Sequence, residues 1–350
     1  MSLVPAHNSV DFGSHRADHP RSTVRTVLTV LLGLGVLALC ISDIRSSDVL
    51  HNAWLRRTTG SAWDSWRATV LDPFYWGFLV VLSALQWIWP SQAHQRHPSR
   101  ALAEDATWFF LSTALQVTMV AGFLALLGTA YQDTTGGWSL NLTPLLGVWG
   151  VAIVAFVLTD FLAWFTHWAH HHVGTLWYFH AVHHSQENLN VLSDNRQHVV
   201  ETMASAAMTF LPGMLLGLNA PDALKLAFSG IYISAFIHTN IRTNLGVLRY
   251  VFVSPQVHRV HHSIYPEYFN TNYGTAFIFW DLLFGTRHPD HNVYPPTGIT
   301  DPNFPRATGS SPRALVDLWV RQTIYPFRLL FTRNTGYAGN RATRGSAAAS

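Results

Sequence analysis

Cysteine is almost missing from this 350-residue chain, where Cys40 is the single example. One thiol excludes an intrachain disulfide, a cysteine-built zinc site and an iron–sulfur cluster held by this chain alone. Lysine is as scarce, with Lys225 alone, and charged residues of every kind make up 12% of the chain, about half the share in ordinary soluble domains. No run of five or more basic residues occurs, and a formal charge of +3 is too small and too scattered to hold nucleic acid. No glycine-rich fingerprint follows a predicted strand, so nothing here binds a nicotinamide or flavin dinucleotide. There is no long internal repeat and no second catalytic domain.

What the chain does have is apolar surface, aromatics and histidine: 49% hydrophobic residues, 14 Trp, 11 Tyr and 20 His. Trp and Tyr suit the boundary between bilayer and water. A polar tail, residues 1–25, precedes an apolar run at 26–42. The length of that tail and the lack of a small-x-small cleavage site predict an uncleaved anchor rather than a removed signal. Further spans are predicted at 73–89, 106–130 and 145–165, each near the length that crosses about 30 Å of hydrocarbon. Segments 202–218 and 226–237 flank Asn219, Ala220, Pro221 and Asp222 and predict a helical hairpin that dips into or crosses the bilayer.

The predicted fold is therefore all-α: an integral membrane bundle of about four transmembrane helices plus the hairpin, with a cytosolic helical cap carrying the histidines. The predicted division is a tail (1–25), N-terminal membrane helices (26–144), a catalytic region (145–288) and a polar C-terminal segment (289–350). Within that last segment 314–331 reads as an interfacial helix, and the Gly/Ala/Ser-rich end reads as disordered. The loop at 131–144 lacks Lys and Arg while Arg96 and Arg100 lie on the other side, which places the N-terminus and the histidines in the cytoplasm. Arg45, Arg56, Arg57 and Arg67 oppose that orientation unless 49–67 lies along the surface as an amphipathic helix.

On a helix, positions i, i+3 and i+4 share a face. His180, His183 and His184 in HAVHH, and His258, His261 and His262 in HRVHH, obey that spacing, as do His167, His170 and His171 in HWAHHH. At the chain's own frequency of 20 histidines in 350 residues, the HxxHH spacing arises by chance on the order of 0.06 times; it occurs three times. Convergent histidines hold metal, and with thiols excluded the donors are nitrogen or oxygen. The near-identical hexapeptides HAVHHS and HRVHHS point to two similar ligand sets facing a shared centre. Lone histidines are seldom ligands, which makes His288 and His291 surface residues.

These motifs resemble the membrane fatty acid hydroxylase and sterol desaturase superfamily. The matching stretches are HWAHH, LWYFHAVHHS, SPQVHRVHHS and the trailing NYGTAFIFWDLLFGT, from about Leu158 to Thr286. The resemblance implies a di-iron centre with His167, His171, His180, His183, His184, His258, His261 and His262 as ligands. It adds His238 in HTN and His198 in NRQHVVE as ligands or near-ligands, and ranks His170 and His172 below His167 and His171. Ligating imidazoles usually donate their other N–H to a carboxylate or carbonyl, for which Asp160, Asp194, Glu201, Asn240, Asn272 and Asp281 are candidates.

With two irons and O2 as co-substrate, the implied activity is hydroxylation of a C–H bond in a lipid-type substrate such as a fatty acyl lipid or sterol. Desaturation by the same centre is the alternative, and a non-enzymatic membrane metal- or haem-binding protein is the alternative of another class. The chain carries no electron supply, so a separate ferredoxin, cytochrome or reductase is implied. Arg242, Arg249, Arg259 and Arg287 are candidates for its docking surface, with lipid headgroups as the competing partner.

Overall fold

Two long apolar helices set the dimensions of the molecule. In the computed structural model, which describes residues 62–95, 99–217 and 230–331 together with residue 31, the described residues form helices and three isolated β-bridges and no strand. Helices α1 (Ala62–Val70) and α2 (Pro73–Ile88) precede α3 (Arg100–Thr135) and α4 (Thr143–His172). Then come α5 (Gly174–His184), α6 (Val199–Leu215), α7 (230–237), α8 (Pro255–His261), α9 (Phe279–Leu283) and α10 (Pro312–Phe331).

Helix α3 starts where the Ser99 side chain accepts from Leu102 N and stops at Gly136, whose φ of 63° is the left-handed conformation glycine tolerates. A short turn then reverses the chain into α4, which kinks at Gly147 (φ 65°). α3 and the 149–172 part of α4 are long and apolar enough to cross a membrane, and most of their apolar stretches stay uncovered. Thr118, Thr129, Thr134 and Thr135 turn their hydroxyls back to the carbonyl four residues earlier, which keeps polar atoms satisfied where lipid offers no partner.

Burial of α3 is confined to one end, while α4 also buries Val151 and Ala155 against Leu216 near the turn. On α3 the buried residues are Ala101, Asp105, Trp108, Phe109, Ser112 and Thr113, all in its N-terminal part, whereas Leu126 near the other end is exposed. On α4 the histidine-bearing C-terminal turns meet the protein core, while Leu145, Trp149 and Ile153 face outward. Helix α6 packs on both and reaches the far turn, where Leu140 N donates to Leu215 O (2.8 Å). The molecule is thus a helical shaft with a packed, polar-cored end.

The sequence predicts four spans, and the described residues hold two helices of span length and composition. The 73–89 segment forms α2, 16 residues long, which exposes Val80 and Trp87 and buries Tyr75, Phe78, Leu79 and Leu82. The 26–42 anchor, the tip of the hairpin, residues 49–61 and the Gly/Ala/Ser-rich end lie outside the described residues. Segment 314–331 is helical as part of α10, which clamps the polar end: Trp108 Nε1 donates to Gln322 Oε1 (3.1 Å) and Trp319 Nε1 to Ser112 Oγ (3.0 Å).

Candidate metal centre

Four helices deliver imidazoles to one buried volume. α4 ends in His167, His170 and His171; α5 carries His180, His183 and His184; His238 follows α7; α8 carries His258 and His261, with His262 as its C-cap. Nine of these form two groups, each with its potential ligand atoms within 4.8 Å of one another. The first is His167, His171, His180, His184 and His261. The second is His183, His238, His258 and His262.

The two HxxHH motifs are shared between the groups in opposite senses. On α5 the i, i+4 pair His180 and His184 joins the first group while His183 crosses to the second. On α8 the i, i+4 pair His258 and His262 joins the second group and His261 crosses to the first. Residues four apart project together and the residue at i+3 projects about 100° from the i+4 residue, so two short helices packed face to face each feed both groups. His184 and His262 stack at the junction, ring centroids 4.2 Å apart.

Hydrogen bonding to backbone carbonyls fixes which nitrogen of four of these rings is bare. His167, His183, His238 and His261 turn Nδ1 to the carbonyls of Tyr273 (2.9 Å), Arg196 (3.3 Å), Ser234 (2.7 Å) and Thr271 (2.8 Å). A carbonyl only accepts, so these Nδ1 atoms carry the proton, and a neutral imidazole has only one. Their Nε2 atoms are therefore lone pairs. Yet His183 Nε2 and His238 Nε2 lie 2.9 Å apart, and His258 Nε2 is 2.8 Å from His238 Nε2. In the first group His180, whose Nδ1 meets Glu201 Oε1 (2.7 Å), and His261 both bring Nε2 to 3.1 Å from His184 Nε2. His167 Nε2 and both nitrogens of His171 are buried with no partner.

Facing lone pairs repel unless a cation lies between them. Nitrogens bonded at about 2.1 Å to one metal at right angles stand about 3 Å apart, which is the spacing seen. The donor set, nitrogen without thiolate, suits borderline first-row metals, and the residues present fit such an ion in each group. Burial, and then the neighbouring imidazoles, hold these rings neutral: His180 and His261 are lowered to about 3, and His183, His184, His258 and His262 lie well below the ordinary histidine value.

Among the expected supporting residues, Glu201 touches a clustered imidazole directly, His180. Asp194 lies 3.9 Å from His238 Nδ1, behind the closer Ser234 carbonyl, and accepts from the Ser234 hydroxyl. Asp160 and Asp281 work one layer out. Asp160 accepts from Ala276 N, Phe277 N and Trp280 Nε1, and Asp281 from Tyr273 N, Gly274 N, Trp164 Nε1 and the Thr286 hydroxyl. Together they tie the 272–281 segment to α4. Asn272 (φ 59°) bends the chain so that Thr271 O and Tyr273 O both face histidines, and its own side chain donates to Val257 O. Gly274 admits no Cβ, which would lie 2.8 Å from Phe277 O and 2.9 Å from Asp281 Oδ2. Asn240 accepts from Arg259 Nη2 (2.9 Å) and touches no clustered histidine. Glu201→Gln, which weakens the acceptor behind His180, is expected to lower metal affinity 10–100-fold; titration with a competing chelator measures it, and an unchanged affinity refutes the role.

His198, expected as a ligand or near-ligand, stands outside both groups. Its Nε2 donates to Thr323 O (3.0 Å) and its Nδ1 accepts from Val200 N (3.1 Å) as the N-cap of α6. Both nitrogens are spent. His170 is buried and stacks on His180 but joins neither group. His172 is exposed with Nδ1 against Trp168 O, while His288 and His291 are partly exposed.

A second polar layer escaped the sequence reading. Buried Arg196, whose carbonyl holds His183, places Nε 2.8 Å from Asp105 Oδ1, Nη2 3.1 Å from Glu104 and Nη1 3.2 Å from Gln322. Gln186, Asn190 and Ser193 complete the Asp105 carboxylate at 2.7 Å each. The available signal was Asp105 itself, an acid directly before a predicted membrane span. Removing one partner of a buried ion pair costs about 3–5 kcal/mol, so Asp105→Ala should lower the melting temperature strongly. A melting temperature equal to that of the parent refutes this.

Beside the histidines lies a cavity of about 180 Å³. Thr159, Ala163 and Thr166 of α4 and Ser205, Met208 and Thr209 of α6 line it together with His167, His180, His183 and His238.

Residues 152–286 match the sequence model of the fatty acid hydroxylase family. The chain is 36% identical over 136 residues to an ornithine lipid hydroxylase of Rhizobium tropici, covering 39% of this chain and 41% of that protein. It is 33% identical over 150 residues to human alkylglycerol monooxygenase, covering 42% of this chain and 33% of the other. With human cholesterol 25-hydroxylase it shares 27% identity over 128 residues, 36% of this chain and 46% of the relative. The chain thus spans less than half the length of these curated relatives. No solved structure matches it significantly. Both histidine groups fall inside this matched stretch, the part of the chain that is similar to the fatty acid hydroxylase family.

Proposed function

We propose that the two histidine groups hold two iron ions and that the chain is a membrane-bound oxygenase that hydroxylates a C–H bond of a lipid-type substrate. The observation that carries this reading is the 2.9 Å contact between the bare Nε2 atoms of His183 and His238, buried among the clustered histidines within a stretch that matches the fatty acid hydroxylase family. His167, His171, His180, His184 and His261 would hold one ion, and His183, His238, His258 and His262 the other. Bound iron supplies O2 activation and removal of hydrogen from an unactivated carbon. One oxygen atom enters the C–H bond, and the other leaves as water with two protons and two electrons from a separate donor.

The protein's own part is positioning. Carbonyls of Arg196, Ser234, Thr271 and Tyr273 orient four rings, and Glu201 a fifth. The cavity between α4 and α6 gives a lipid chain a path to the histidines from the bilayer side, while the Asp105–Arg196 network packs the opposite side of the α5 histidines. The α3–α4 turn lacks Lys and Arg, whereas Arg100, Arg242 and Arg249 lie at the histidine end, which supports a cytoplasmic location for that end. The relatives' names, hydroxylase and monooxygenase, favour hydroxylation over desaturation.

Metal analysis of the purified protein, together with mass spectrometry of lipids from cells with and without the gene, tests the reading. Two irons per chain and a lipid heavier by one oxygen are expected. Absence of iron overturns the centre, and a lipid lighter by two hydrogens overturns hydroxylation in favour of desaturation. Ala163→Trp, which fills the cavity away from the imidazoles, should cut turnover at least tenfold and leave metal content unchanged; full turnover would refute the proposed path.

A further inference from the structure

Two short segments, 246–251 and 278–287, lie side by side: Ile278 N donates to Val251 O (3.0 Å) and Phe252 pairs with Phe277 in an isolated bridge. Between them they hold large apolar side chains out of the protein. Val247 is 71% exposed and Leu283 69%, with Leu282, Phe284 and Val251 also exposed. The patch adjoins a bilayer-length helix, because Phe284 stacks on Trp164 of α4 (centroids 4.5 Å apart) and Trp280 packs on Phe161 (4.9 Å).

Two arginines edge this patch. Arg249 lies over the Tyr250 ring at 4.8 Å and donates Nη2 to its hydroxyl (3.0 Å), and the Arg287 guanidinium lies 6.0 Å from the same ring. Neither forms an ion pair among the described residues: Arg249 Nε is buried with no acceptor, and the carboxylate whose charge acts on Arg287, Asp281, is buried and already accepts from Tyr273 N, Gly274 N, Trp164 Nε1 and the Thr286 hydroxyl. Two like charges gathered around one ring, neither in an ion pair, mark a place for an anion. Arg242 is different, lying over Tyr294 at 4.7 Å, and Arg259 is buried against Asn240, which corrects its expected place on an exposed basic surface.

We propose that this patch is a membrane anchor with a headgroup site: Val247, Leu282, Leu283 and Phe284 enter the acyl border of one leaflet, and Arg249 and Arg287 bind the phosphate of an anionic lipid across Tyr250. Guanidinium groups match phosphate oxygens in pairs, and a tyrosine with an apolar body and polar tip belongs at headgroup depth. An acidic electron-donor protein is the competing occupant. Exposed apolar patches mark either protein or membrane contacts, and the continuity of this one with the bilayer-length helix α4 favours lipid. The anchor holds the histidine end against the leaflet whatever metal or reaction the centre supports.

The test uses full-length protein in nanodiscs of phosphatidylcholine and phosphatidylglycerol. In a Cys40→Ser background, Leu283→Cys carries a bimane label, with Asp290→Cys as the aqueous control. Lipids brominated near the headgroup should quench the label at 283 and leave that at 290 bright, while iodide should do the reverse. Native mass spectrometry should show phosphatidylglycerol retained by the parent and retention reduced about tenfold in Arg249→Gln/Arg287→Gln. Iodide quenching at 283 overturns the anchor, and unchanged retention in the double variant overturns the headgroup site. Protection of the 283 label by an added acidic ferredoxin, with no lipid quenching, assigns the face to the donor instead. The labelled protein with both arginines intact keeps the anchor testable if the double variant does not fold.

Discussion

His183→Ala is expected to empty the second histidine group of metal and abolish turnover, with metal affinity falling more than about 100-fold, since losing even an outer hydrogen-bond partner costs 10–100-fold. That group has four members, so one deletion removes a quarter of its donors. It also removes the ring whose bare nitrogen faces His238 at 2.9 Å. His170→Ala is the matched control, because His170 is buried, lies two residues from His172 on the same helix end and joins neither group. It should retain metal. Metal content per chain, measured on both purified variants, decides the matter: His183→Ala with full metal overturns the proposed ligand set, and His170→Ala with none extends it.

Acid should unfold the metal-free protein over a window set by the same rings. His180 and His261 are lowered to about 3, chiefly by burial, from an unfolded value near 6.5. The unfolded chain therefore binds more protons than the folded one between those values. Stability from these rings is fully present above pH 6.5 and is lost as pH falls toward 3. Each buried neutral imidazole contributes about 1.4 kcal/mol per pH unit within that window, and His183, His184, His258 and His262 shift in the same direction. Between pH 7.5 and pH 5 the melting temperature of metal-free protein in detergent should fall by at least about 10 °C. Equal melting at the two values would mean that the rings are already charged or exposed.

How much of this was legible depended on whether the cause was local. The histidine spacing is local, a property of one helical turn, so nine of the ten histidines named from sequence meet in space. The reciprocal crossing of His183 and His261 between groups was hidden, because it depends on how α5 and α8 face each other. His198 has the right residue type and becomes a helix cap through Val200 N and Thr323 O, the second of which is 125 residues away. The carbonyls of Thr271 and Tyr273 were invisible for a simpler reason: every residue has one, and only the left-handed turn at Asn272 aims these two. Asp160 and Asp281 were noticed as acids near the motif, but their partners are backbone amides of the 273–277 loop rather than imidazoles. The long helices α3 and α4 follow directly from apolar length, whereas α2 shows that an apolar 17-residue segment also suits a shorter, half-covered helix.

The opposed lone pairs of His183 and His238 bear on the life of the protein in a cell. Each bare nitrogen was aimed by a backbone carbonyl set by the fold, so the newly made chain must assemble a knot of mutual repulsion before any ion relieves it. Metal binding to the folded form alone stabilises it by mass action. Supply of the proposed ion should then set how many copies survive quality control. Starving growing cells of iron should therefore lower the steady-state amount of this chain, with its transcript unchanged.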